Sequence, residues 1–150
     1  MNIFEFAIRV ACAVFFGFLI GFERQHTGHP AGIQTNVLVC LGSCIFQLAA
    51  FMMDPEDSIR VASQVVTGVG FLGSGIIFKD GINVRGINTA ATIWCGAAIG
   101  LLTSAGYILH ALLATTCIVL VNIMFQQPSG FMRLYKKIRA NKESYSKKDL

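Results

Sequence analysis

Residues 86 to 132 pass without one Asp, Glu, Lys or Arg, an uncharged run of 47 residues. A helix needs roughly 20 apolar residues to cross a bilayer, so two crossings fit within it. The polar break Thr103-Ser104-Ala105-Gly106 divides the run, and a tight turn there predicts a pair of helices over 86–103 and 107–125. Lipid is the solvent that suits such a chain, because a helix satisfies its backbone hydrogen bonds within its own segment.

Composition agrees. Mean hydropathy is +0.62, and charged residues make up 13% of the chain, about half the roughly 25% of a soluble domain. Three further spans are predicted over 3–22, 33–53 and 59–78. Asp54 and Pro55, followed by Glu56 and Asp57, form a helix-start signal ahead of the third. The expected fold class is an all-α membrane protein, with a bundle of five transmembrane helices over 1–127. A basic cytoplasmic tail over 128–150 follows, in which Phe131, Leu134, Tyr135 and Ile138 recur at helical spacing among basic residues. That pattern predicts a basic amphipathic interfacial helix lying on anionic lipid.

Positive charge sets the orientation. The tail holds seven of the 12 Lys and Arg residues. With the tail cytoplasmic, alternation brings Arg24, Lys79 and Arg85 to the same side and leaves Arg9 and Arg60 for the other. The expected location is the bacterial inner (cytoplasmic) membrane, multi-pass, with the N-terminus outside. Glu5 and Arg9, spaced i, i+4, can pair on one helix face or snorkel to the headgroups. No signal-peptide cleavage site follows the first span.

The five cysteines, Cys12, Cys40, Cys44, Cys95 and Cys117, all fall in apolar stretches and are expected to pack as small hydrophobes rather than form disulfides. Gly68-Val69-Gly70-Phe71-Leu72-Gly73 matches the dinucleotide fingerprint, but inside a membrane span the fingerprint has no strand–turn–helix context. Gly68, Gly70, Gly73 and Gly75 there suit close backbone approach or a helix break beside a polar cavity. Gly17/Gly21 and Gly96/Gly100 are small-residue pairs suited to helix packing within the subunit. Glu23, His26 and His29 have a spacing that would hold zinc or nickel on a helix, but Gly28 and Pro30 interrupt it in favour of a solvated loop. Asp54, Glu56 and Asp57 are weak candidates for Mg²⁺ or Ca²⁺, although capping already accounts for them. No Walker motif is present, and neither cofactor, catalytic residue nor nucleic-acid partner is expected.

The polar stretch 79–89 carries Asn88 and Thr89 into apolar sequence, where an unsatisfied amide or hydroxyl costs free energy. Asn36, Gln47 and Gln64 have the same need, and a polar seam between helices would satisfy all five.

Four stretches carry a resemblance: Gly21-Phe22-Glu23-Arg24-Gln25, Ala31-Gly32-Ile33-Gln34-Thr35-Asn36, residues 64–75 around the glycines, and residues 83–95, which end Thr92-Ile93-Trp94-Cys95. In that order they closely resemble the MgtC/SapB family of bacterial inner-membrane proteins, over about residues 5 to 125. The resemblance implies a five-helix membrane domain, growth under magnesium limitation and survival inside macrophages. It also implies restraint of the F-type ATP synthase and a part in wider ion homeostasis. The family's acidic residue ahead of the third span matches Asp54 or Asp57, and its cysteine after the Thr-Ala-Ala-Thr run matches Cys95. Gln34 stands where members usually have Arg. Longer members add a soluble C-terminal domain, and these 150 residues read as a short member without it.

The functional reading is therefore a non-enzymatic regulator. Its polar seam and partner surface would comprise Glu23, Arg24, Asn36, Asp54, Asp57, Gln64, Gly68, Gly70, Gly73, Gly75, Arg85, Asn88, Thr89, Trp94 and Cys95. The partners implied are the lipid bilayer and a membrane protein such as F-type ATP synthase. The alternative is a cation transporter or channel for Mg²⁺, K⁺ or H⁺, for which a homo-oligomer would supply the pathway that five short helices lack.

Overall fold

The computed structural model describes residues 1–56 and 58–125. Asp57 and the basic tail, with the interfacial helix expected there, lie outside the described residues. Helices form on each of the five apolar segments: α1 (Ile3–His26), α2 (Ile33–Met53), α3 (Ser58–Ser74), α4 (Ile87–Ser104) and α5 (Ile108–Met124). A short hairpin, β1 (Phe78–Asp80) and β2 (Asn83–Arg85), joins α3 to α4. By length and composition α1, α2 and α4 are each able to cross a membrane. The helix α5 is apolar but spans 17 residues, as does α3.

The third helix stops at Ser74, short of the expected end at residue 78. Gly73-Ser74-Gly75 is poor helix-forming sequence, and the β-branched Ile76 and Ile77 favour an extended chain. The strands pair antiparallel, with Phe78 opposite Arg85 and Asp80 opposite Asn83. Gly81 opens the two-residue connection with φ +61°, a conformation that glycine adopts without a steric penalty.

Successive helices run in opposite directions, so the C-terminus of α1, the N-terminus of α4 and the C-terminus of α5 meet at one end. Arg24 reaches Thr89 there, and Asn122 reaches Glu23. At the other end Arg9 Nη1 donates to the Ser104 carbonyl at 2.6 Å and Gln47 Nε2 donates to the Ser58 carbonyl at 3.0 Å. Arg9 thus turns across to α4, where it supplies a cation to the exposed carbonyls of a helix C-terminus.

Polarity is distributed as hydrocarbon surroundings require. Large apolar side chains cover the outside: Phe4, Phe71 and Leu109 are 69%, 80% and 73% exposed, while Asn36, Thr103 and Ser104 are wholly buried. Between the two polar ends lies an apolar layer that includes Ala13, Ile20, Cys40, Cys44, Leu48 and Ile99. Cys40 and Cys44 pack as free thiols in that layer.

The helix α4 touches all four others, and α1 lies against α2. Small residues permit this. A Cβ built on Gly17 would stand 2.8 Å from Val37 Cα, and one on Gly21 2.5 Å from Ile33 Cα. One on Gly100 would strike the Cys40 carbonyl. Gly96 is looser, its nearest neighbour being Asn36 Oδ1 at 3.9 Å. Gly68 and Gly70 have open space around them, so the close approach expected at these two positions does not occur among the described residues. Among the described residues only Gly73 of the α3 glycines meets another helix, at Ala90.

Candidate functional site

The C-terminal turn of α1 organises the polar end of the bundle. Gly28 takes φ +74°, which lets the chain double back with Gly28 N–H on the Gln25 carbonyl (3.2 Å) and His29 N–H on the Arg24 carbonyl (3.0 Å). This is the Schellman closure of a helix, and it needs glycine at that position. It leaves Glu23 and Arg24 in the last turn, where α4 and α5 cover them.

Both are buried, Glu23 at 8% exposure and Arg24 at 2%. Arg24 Nη2 donates to Thr89 Oγ1 at 3.1 Å, and its Nε has no partner among the described residues. The Glu23 carboxylate accepts from Asn122 Nδ2 at 3.0 Å through Oε2, while Oε1 lies 3.4 Å from Thr27 Oγ1. Asn122 Oδ1 in turn faces Thr92 Oγ1 at 3.4 Å, and that hydroxyl also donates to the Asn88 carbonyl at 2.9 Å. A chain of polar groups thereby links α1, α4 and α5. Charges at depth in a membrane protein are costly and persist where they are hydrogen-bonded or serve a function.

Thr27 Oγ1 continues the chain outward, at 3.1 Å from the Arg24 carbonyl and 2.6 Å from His29 Nδ1. The His29 imidazole is half-buried. Burial lowers its pKa and the nearby Arg24 charge lowers it further, while Glu23 pulls in the opposite direction. The neutral ring is the favoured form. His29 therefore sits in a loop, as Gly28 and Pro30 predicted, but is half-buried there and held against Thr27 instead of freely solvated. Among the described residues no group of three metal-ligating side chains converges, at Glu23, His26 and His29 or at Asp54 and Glu56.

The remaining residues divide into three places instead of one seam. Asn36 donates to the Ala31 and Gly32 carbonyls at 3.0 and 2.9 Å, closing the N-terminus of α2, and its buried Oδ1 has no partner among the described residues. Gln64 is exposed on α3. It lines an apolar groove of about 450 Å³ between α2 and α3, together with Gly42, Phe46, Gly68 and Leu72. Asn88, Arg85 and Trp94 are exposed and Cys95 is half-buried. The helical spacing of Asn88, Ala91, Trp94 and Cys95 puts them on one outward stripe of α4 that begins at the hairpin. Gly75 lies just past the end of α3, with its nearest non-neighbouring atom the Leu72 carbonyl oxygen at 3.5 Å. Asp54 closes the C-terminus of α2 and accepts from Glu56 N–H at 3.0 Å, an Asx turn ahead of α3.

Sequence reasoning missed Thr27, Thr92 and Asn122. Asn122 was open to detection, since an amide inside an apolar helix must find a partner, the same argument that singled out Asn36 and Gln64.

The model of the MgtC family matches residues 10–131. Protein MgtC of Salmonella typhimurium strain LT2 is 40% identical over 157 aligned positions, covering 97% of this chain and 68% of that protein. Protein MgtC of Brucella abortus strain 2308 is 51% identical over 118 positions, covering 78% of this chain and 50% of that protein. Protein MgtC of Salmonella paratyphi A is 43% identical over 127 positions, 85% of this chain and 55% of that protein. The chain thus spans about half to two thirds of the length of these relatives. No solved structure matches. With a family match over most of its length and Glu23 and Arg24 buried among apolar helices, this chain belongs to the MgtC family of membrane proteins.

Proposed function

We propose that the chain is a non-enzymatic regulator of ion and magnesium homeostasis and of membrane energetics, acting through a membrane protein partner in the bacterial inner membrane. The observation that carries this reading is the division of labour among its polar groups. Glu23, Arg24, Thr89, Thr92 and Asn122 are engaged in holding helices together. Asn88, Arg85 and the half-exposed Trp94 face outward beside the hairpin. An amide and an aromatic ring on a membrane-facing stripe are the groups a partner helix would bind, since Asn hydrogen-bonds across helices and Trp offers a large apolar face. The F-type ATP synthase is the partner to which the family resemblance points, with adaptation to low magnesium and intracellular survival as the setting. The hairpin and the end of α5 lie at the same end of the bundle, which the charge pattern assigns to the cytoplasm.

A cation path through one subunit is the weaker reading. The two polar ends are separated by the apolar layer of Ile20, Leu48 and Ile99, and a hydrated ion crossing it would lose its ligands. Affinity purification from mild detergent tests the regulator. Recovery of a membrane protein that is lost on Asn88→Ala or Trp94→Ala supports it. Recovery of none, together with Mg²⁺, K⁺ or H⁺ flux from the purified protein in liposomes, would replace it with the carrier.

A further inference from the structure

The turn between α1 and α2 brings a titratable ring to the end of the bundle where the Arg24 guanidinium is buried. His29 is carried there by the backbone closure on the Arg24 carbonyl, and its Nδ1 lies 2.6 Å from Thr27 Oγ1. That hydroxyl has one hydrogen and three neighbours, the His29 ring, the Arg24 carbonyl at 3.1 Å and Glu23 Oε1 at 3.4 Å. With a neutral ring the hydroxyl is free to donate to Nδ1. Once the ring is an imidazolium both nitrogens are donors, and the hydroxyl must turn its hydrogen towards the Arg24 carbonyl or the Glu23 carboxylate.

The charged neighbours decide what that proton costs. Among the described residues, those acting on His29 are Glu23 and Arg24, both on α1. The helices packed over this end present Thr89 and Thr92 from α4 and Asn122 from α5, none of which titrates. His26 is turned aside, with its ring edge-on to Phe22 at 5.4 Å. Glu23 is already engaged by Asn122, and Arg24 carries a permanent positive charge.

We propose that the 27–32 turn is an acid-sensitive latch, in which protonation of His29 sets a second cation beside buried Arg24 and undocks the turn from the network joining α1 to α4 and α5. The direction follows from linkage. The docked ring has a pKa below that of an open one, so docking is fully favoured above the open-form value and weakens as pH falls through it. The open-form value lies near 6.5. The inference does not depend on the identity of the partner.

Hydrogen exchange of the full chain in lipid nanodiscs tests it, with rates corrected for intrinsic pH dependence. Opening of the amides of His29, Ala31, Gly32 and Ile33 should rise up to about tenfold between pH 7.5 and 5.5, the limit set by an open-form pKa near 6.5. His29→Gln should abolish the rise and His26→Gln should retain it. A flat wild-type response, or an undiminished rise in His29→Gln, overturns the proposal. A second measurement on the unmodified protein guards against a variant that fails to fold. The His29 ring, followed by ¹³C-histidine NMR, should titrate below the ordinary imidazole value near 6.5, and titration at or above that value overturns the proposal equally.

Discussion

Glu23 and Arg24 are consecutive in the chain and tie α1 to two different helices. The Glu23 carboxylate accepts from Asn122 on α5 at 3.0 Å, and the Arg24 guanidinium donates to Thr89 on α4 at 3.1 Å. Consecutive residues on an α-helix point about 100° apart, so a neighbouring acid and base can anchor two neighbouring helices. The arrangement also leaves the buried cation on a neutral hydroxyl, which makes the site sensitive to any charge brought close to it.

Thr89→Val should be strongly destabilising for its size. It removes the hydrogen bond that Nη2 makes and leaves a buried guanidinium whose Nε already lacks a partner among the described residues. Hydrogen bonds to charged groups contribute about 1.5–3 kcal/mol. Thermal unfolding in detergent should show a loss in that range, with Thr116→Val, on the exposed face of α5, close to neutral.

Glu23 and Asn122 should be energetically coupled. A double-mutant cycle of Glu23→Gln and Asn122→Leu, read by unfolding, should give an interaction energy within about 0.5–3 kcal/mol. A value of zero would mean that the Glu23–Asn122 contact does not help to hold α5 against α1.

The glycines should separate into two groups. Gly21→Ala and Gly17→Ala force a Cβ against the backbone of α2 and should cost about 1–3 kcal/mol as the helices part. Gly68→Ala and Gly70→Ala meet nothing within 4 Å and should be neutral or stabilise by up to about 1 kcal/mol through helix propensity. Destabilisation at Gly68 or Gly70 in the isolated protein would show that α3 has a neighbour there.

Arg9→Leu should loosen the opposite end. It removes the donor to the Ser104 carbonyl and the cation at the C-terminus of α4, each contributing about 1 kcal/mol. Hydrogen exchange in the 104–107 turn should rise, while exchange around Thr89 stays unchanged.

Helix number, approximate helix position and the division between apolar and polar segments were all legible in the sequence, because the bilayer requires long uncharged runs and leaves charges for their ends. The helix stop near Ser74 was half-legible. Gly73 and Gly75 announced a break, but the strand pairing of Phe78 with Arg85 depends on a return of the chain that local sequence does not announce. The fate of each polar side chain was not legible. Asn36 and Gln64 are both amides in apolar helices, yet one closes a helix N-terminus and the other lines an open groove.

Composition and charge spacing by themselves determined that this protein lives among lipids as helices, since the free energy of leaving a backbone or a charge unsatisfied in hydrocarbon exceeds any local preference. Tertiary structure alone decided that Glu23 would meet Asn122 and that Arg24 would meet Thr89. Those contacts join residues separated by 99 and 65 positions, and only the packing of α1 against α4 and α5 brings them within hydrogen-bonding distance.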